Sequence, residues 1–173
     1  MSLTIRPIEP SEWETLGEIT VASYLASGFL TANSGYADYL RDVGARAESG
    51  TVLVALDSTE IVGGISVVPP GSKKAEVALP GEAEIRALAV APTAGKSGVG
   101  TRLAERAVTT AFDELGATAI ALCSKDTMHA AHHIYRKIGF NRAPHRDWAP
   151  LPDIRLLTFT LDPASYRPTS LDE

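Results

Sequence analysis

Thirteen consecutive residues constrain this chain more than any others: Ala91-Pro92-Thr93-Ala94-Gly95-Lys96-Ser97-Gly98-Val99-Gly100-Thr101-Arg102-Leu103. They leave a β-rich run, Glu82 to Val90, turn on small residues, and enter the clearest helical pattern in the sequence. In that pattern Val99, Leu103, Ala107, Val108, Ala111, Phe112 and Leu115 form one apolar stripe, and Gly116 stands where a C-cap belongs. A strand-to-helix turn of this kind presents several backbone N–H groups at a positive helix end, which suits an anion. Gly95, Gly98 and Gly100 allow unusual backbone angles and close approach, and Lys96 and Arg102 add charge. A tight connection with flexible glycines is the simpler alternative.

Two phosphate motifs fail here. Gly95-Lys96-Ser97 imitates the end of a P-loop, but that motif demands glycine at position 90, which is Val90. A dinucleotide fingerprint starting at Gly98 demands glycine at position 103, which is Leu103.

The remaining elements follow by period and punctuation. Leu3 to Arg6 alternates as a first strand. Ser11 with Glu14 reads as a capping box ahead of a helix bearing Trp13, Leu16 and Ile19. Asn33 to Arg46 reads as one second helix. Thr51 to Leu56 and Ile61 to Val68 flank the turn Asp57 to Glu60 as a hairpin. Ser72 to Gly81 is a polar connection, and Ala117 to Cys123 a strand buried on both faces. Met128 to Ile138 is a helix stopped by Gly139, Ile154 to Leu161 is a last strand, and residues after Pro163 are expected to be loosely held. The order β-α-α-β-β-β-α-β-α-β implies a mixed sheet covered by helices.

Composition limits the partners. Of the 173 residues 45% are hydrophobic and 21% charged, enough for a core without staples, and the length suits one domain over residues 1–173 with its core at about 3–162. The net charge of -5 argues against nucleic acid or an anionic membrane as partner. No apolar run nears the ~20 residues of a membrane span, and no signal peptide is evident, so a cytoplasmic location is expected. Cys123 is the only cysteine, which rules out an intrachain disulfide.

The run Glu84-Ile85-Arg86-Ala87-Leu88-Ala89-Val90-Ala91-Pro92, the glycine loop and Thr101-Arg102-Leu103 resemble the core of the GCN-related N-acetyltransferase (GNAT) superfamily. That family's loop is R/Q-x-x-G-x-G/A, and the frame here is Gly95-Lys96-Ser97-Gly98-Val99-Gly100, with Gly95 in place of the Arg or Gln. Ala131, Tyr135, Gly139 and Phe140 follow the family's A-x-x-x-Y-x-x-x-G-F pattern, with Met128 where many members carry Asn. The acyl-CoA motif spans 84–140.

The resemblance implies an α/β GNAT fold. Its central sheet is mixed and mostly antiparallel, with a splayed parallel strand pair and helices on both faces. It implies an N-acyltransferase that moves an acetyl group from acetyl-CoA to a small-molecule or peptide amine by direct attack, with no metal, and a homodimer. Gly95, Lys96, Ser97, Gly98, Val99, Gly100 and Thr101 would hold the diphosphate. The backbone of Leu88, Ala89 and Val90, with Ala131, would hold the pantetheine arm and stabilise charge on the carbonyl oxygen. Glu84, eleven positions before Gly95, has the offset of the catalytic glutamate in the family's histone-acetylating branch and is the expected general base. A strand-end glutamate facing solvent or paired with Arg86 is the alternative, and Glu82 the neighbouring candidate. Tyr135, a phenol of ordinary pKa about 10, is the expected acid toward the sulfur, or else a packed aromatic. Cys123 would be a spectator in the core.

His129 and His133 have helical i,i+4 spacing, but no third ligand accompanies them, and with His132 they are expected on a solvated helix face. His145 is expected in a loop. Asp147 and Trp148 are candidates for the rim of the acceptor pocket, and Tyr24, Phe29, Tyr36 and Tyr39 for its wall. A GNAT-fold acyl-CoA sensor without turnover is the competing reading, kept open by Gly95 and Met128.

Overall fold

A computed structural model describes residues 2–30, 35–95 and 97–169. Strands β1 (Leu3–Pro7), β2 (Thr51–Asp57), β3 (Glu60–Val68) and β4 (Glu82–Val90) pair antiparallel in chain order. β5 (Ala119–Lys125) then joins β4 in parallel. β8 (Ile154–Leu161) closes on β5 antiparallel, and the short β6 (Asn141–Arg142) and β7 (Trp148–Leu151) both pair with β8. The sheet is therefore mixed, with one parallel pair at its centre.

Helices cover both faces. α1 (Trp13–Ala26), α2 (Gly35–Arg41) and α3 (Val43–Ser49) lie on one, and α4 (Val99–Thr109) and α5 (His129–Lys137) on the other. Adjacent glycines in β3 let both layers come close, because successive strand residues face opposite sides. A Cβ on Gly63 would lie 3.1 Å from Leu103 of α4, and one on Gly64 would lie 2.7 Å from Leu16 of α1. Leu16 and Leu103 are fully buried, each contributing about 1.5–3 kcal/mol by leaving water.

β4 carries an extra residue. Gly64 pairs with Ala89 and Ser66 with Arg86, so two steps of β3 match three of β4. The insertion falls at Ala87, whose φ of 55° lies in the left-handed region that disfavours a side chain. Phase slips there. Ala83 and Ile85 belong to the core under α4, but beyond the bulge Leu88 and Val90 pack on it, while Ala87 and Ala89 join the core under α1 and α2.

Several expectations need correction. The capping box is two residues earlier: the Glu9 N–H donates to the Glu12 carboxylate at 2.9 Å, and Arg6 grips that carboxylate from β1. Pro10 opens a short 3-10 turn, so Ser11 and Glu14 are already inside the helical segment. The expected second helix is two helices, because Asp42 leaves helical geometry and accepts from the Ala45 N–H at 3.1 Å to cap α3. Asn33 and Ser34 lie outside the described residues. α4 ends at Thr109 and continues as a wider π turn over Thr110–Glu114. The tail is held rather than loose up to Thr169: the Arg167 N–H donates to the Ile138 carbonyl at 2.9 Å, and the Thr169 N–H to Glu105 at 2.6 Å. His132 is buried, 3.2 Å from the Ser124 hydroxyl and against Phe159, while His129 and His133 are exposed as expected. Burial holds the His132 imidazole below its usual pKa. Among the described residues no cluster of three or more His, Cys, Asp or Glu could hold a metal, and no helix is long and apolar enough to cross a membrane.

Candidate active site

The site begins where the parallel pair ends. β4 and β5 share only the pairs Glu82–Ala119, Ala83–Ile120 and Glu84–Ala121. Beyond these the strands part, and a cleft of about 760 Å³ opens between them. Its walls are Ile85 to Leu88 of β4 and Cys123 to Lys125 of β5. Backbone groups along this gap have lost their strand partner, so they are free to bind something that is not protein.

Of the expected site residues, Leu88, Ala131 and Tyr135 line this cleft. Ala89 and Val90 do not; they sit past the bulge, paired back to β3. The glycine loop lies beside the cleft rather than in it. Gly95 (φ 49°) and Gly98 (φ 81°) both take left-handed backbone, and Gly98 is the N-cap of α4. The first α4 hydrogen bond runs from the Arg102 N–H to the Gly98 carbonyl at 3.1 Å, so the amides of Val99, Gly100 and Thr101 precede the helical ladder. Among the described residues, chain neighbours apart, a Cβ built on Gly95 or Gly98 would meet nothing within 4 Å, so the turn is open on that side. Gly100 packs on α5, where a Cβ would come 3.0 Å from Ile134, one turn beyond Ala131. Ser97 is exposed, and Lys96 lies outside the described residues.

Tyr135 is 5% exposed, with its ring against Phe140 and Phe159. Burial, then the neighbouring Cys123 and Tyr36, push its phenol well above the ordinary range, so it stays protonated at neutral pH. The Cys123 thiol is pushed up to about 12 by burial and by Glu76. It is therefore a neutral thiol rather than a nucleophile.

Glu84 departs most from expectation. It is 1% exposed and absent from the cleft wall. Its carboxylate accepts from the N–H groups of Glu76 (2.9 Å), Val77 (2.6 Å) and Ala78 (2.9 Å), and Arg86 Nε lies 3.8 Å away. This carboxylate holds the connection 72–81 against the sheet. Glu82 does the same at the next turn: it accepts from the Leu79 N–H at 2.8 Å and pairs with Arg146, which also donates to the Val77 carbonyl. Partial burial opposes ionisation of Glu82, but the bonds from Arg146 and Leu79 outweigh it and hold the carboxyl below its usual range.

What the held connection delivers to the cleft is Glu76, a residue that no motif or spacing singles out. Glu76 lines the wall, is paired with Arg86 at 2.5 Å, and has its other oxygen 3.8 Å from Cys123 Sγ. The far end is aromatic, with Tyr24, Phe29, Tyr36 and Trp148. Asp147 is not part of it: its carboxylate is locked to Arg142 at 2.8 Å and accepts from the Thr158 N–H, which brings its pKa down to about 2. Tyr39 also turns away from the cleft and lies under the Arg86 guanidinium at 4.6 Å.

The Acetyltransferase (GNAT) family model matches residues 13–140, so the chain belongs to the GNAT acetyltransferase family. No curated protein matches it in sequence. Among solved structures it is similar to a GNAT-family acetyltransferase from Staphylococcus aureus Mu50, at 16% identity over 93% of this chain and 99% of that one, with a TM-score of 0.74. It is similar to YncA of Salmonella typhimurium, solved with acetyl-CoA, at 18% identity, 94% coverage of each chain and a TM-score of 0.69. It is also similar to the PaiA N-acetyltransferase of Thermoplasma acidophilum, solved with coenzyme A, at 17% identity over 91% of this chain and 98% of that one, with a TM-score of 0.67.

Proposed function

We propose that this protein transfers an acetyl group from acetyl-CoA to a primary amine by direct attack. The observation that carries the reading is the parting of β4 and β5 after the third ladder pair, which opens a cleft beside the free amides of α4. The residues present fit the co-substrate: an exposed, open turn of left-handed glycines for a diphosphate, and unpaired strand edges for an extended amide-bearing arm. The YncA and PaiA complexes support the same choice.

The thioester supplies an activated acyl carbon, and the chain supplies the rest. The amides of Val99, Gly100 and Thr101 bind the diphosphate. The N–H of Leu88, beside the bulge, donates to the carbonyl oxygen as it gains charge. Glu76 accepts a proton from the ammonium, directly or through a water, and Glu84 positions it by holding the loop from behind. As the C–N bond forms and the C–S bond breaks, Tyr135 gives its proton to the leaving sulfur, and the second proton that the nitrogen loses restores the Tyr135 phenol. Cys123 remains a protonated thiol, so no acyl-enzyme is needed.

Calorimetric titration with acetyl-CoA, followed by a thiol-release assay over an amine panel, tests this. Binding with release is expected, and Glu76→Gln is expected to lower kcat by about 100-fold with acetyl-CoA affinity retained. Binding without release on every amine would leave the family fold serving as a sensor.

A further inference from the structure

A second cavity, of about 600 Å³, lies behind the acceptor end of the cleft. Gly35, Tyr36, Glu76 and Arg86 line both spaces, so the two adjoin along these residues. Its charged lining is lopsided: Arg46, Lys73, Lys74 and Arg86 against the single carboxylate of Glu76. Glu76 is committed to Arg86, so little negative charge is left for the others.

Arg46 makes the imbalance chemical. It is 6% exposed. Nη1 donates to the Ser66 hydroxyl at 2.7 Å and Nη2 to the Leu40 carbonyl at 2.8 Å, both neutral acceptors. Its Nε is buried with no hydrogen-bond partner, and no carboxylate lies within 4.0 Å of the guanidinium among the described residues. The Tyr39 ring, 5.9 Å away, is its nearest compensation. A buried guanidinium without an anion is costly, and that cost falls away when an anion arrives. Lys73 and Lys74 are exposed at the same cavity and would draw an anion in.

We infer that the second cavity holds an oxyanion of the acceptor, so that the acceptor is an amine that also carries a carboxylate or phosphonate, as an amino acid does. This rests on the transferase reading above and narrows its substrate. The amine would lie in the cleft at Glu76 and the oxyanion past the shared border, toward Arg46, which suits an amino acid whose oxyanion stands several bonds from its amine. Arg86 stands between them, where it orients Glu76.

Two measurements on the full chain decide the matter. Titration with inorganic phosphate, without coenzyme A and in a Gly98→Asp background that closes the α4 amides to anions, probes the cavity. Binding is expected, weakened at least about 10-fold in Arg46→Gln, the loss of one charge-assisted bond. Thiol release is then compared between a set of amino acids and their carboxamides. The acids are expected to lead by at least about 100-fold in kcat/KM, with the ratio shrinking in Arg46→Gln. Should that variant fail to fold, the surface pair Lys73→Ala with Lys74→Ala is expected to shrink both readouts by at least about 3-fold. A merely structural Arg46 would move neither the acid-to-amide ratio nor phosphate affinity. Carboxamides turned over as well as acids, or phosphate affinity unmoved in the variants that fold, would overturn the inference. If acetyl-CoA does not bind at all, the transferase reading falls, and the phosphate titration still judges the cavity.

Discussion

The loops at the two ends of β4 use their backbone amides in opposite ways. Before the strand, the N–H groups of Glu76, Val77 and Ala78 converge on the carboxylate of Glu84, an anion the chain brings itself. After the strand, the amides that open α4 meet no side-chain cap among the described residues, with open space at Gly95 and Gly98. The first arrangement makes a fixed wall, and the second makes a receptor. A nest of amides in a sequence is thus not by itself a ligand site; what matters is whether a buried carboxylate already fills it.

Removing the internal anion should break the contrast most severely. Glu84→Ala leaves three inward amides without an acceptor and is expected to cost about 3 kcal/mol or more, lowering Tm by roughly 6–12 °C. Hydrogen exchange should show protection lost at 76–78 and kept in α4. Giving the open loop an anion of its own should come next. Gly98→Asp is expected to weaken acetyl-CoA binding about 100-fold by like-charge repulsion, with the fold retained. Gly98→Ala separates backbone from charge: it should cost about 1–2 kcal/mol of stability for the left-handed φ and only a few-fold in affinity. The smallest effect is a pH dependence confined to the first loop. Folding holds the Glu82 carboxyl below its ordinary value of 4.5, so the stability it contributes is complete above that pH and is lost as the pH falls beneath it. The protection factor of the Leu79 amide should drop in that acid range, while those of Leu103 and Ala104 in α4 should not.

Much of this frame was legible in the residues. Glu82 to Val90 and Ile154 to Leu161 fall on β4 and β8 residue for residue, because β-rich runs between Pro and Gly punctuation carry their own boundaries. The glycine loop was legible for the same reason. Glu84 was not, because its partners are backbone amides that carry no residue signature, and a strand offset gives position without saying what the carboxylate faces. Glu76 was hidden inside a stretch that reads only as polar connection. The break at Asp42 was missed because Leu40 and Val43 keep helical spacing across it, and both are fully buried. Arg46 reads only as the last residue of the second helix; its buried bond is to Ser66, twenty residues on, which no local pattern announces.

The bulge at Ala87 has a consequence for how this gene can vary. Because the phase of β4 shifts there by one residue, the extra position is what keeps Leu88 and Val90 in the same layer as Ala83 and Ile85. Flattening the bulge at full length would send Leu88 and Val90 to the layer that now takes Ala87 and Ala89, where alanine-sized slots would receive a leucine and a valine. Loss of the Ala87 codon would instead straighten the strand and leave both layers filled as they are. Packing alone thus permits this strand to shorten by one residue at the bulge.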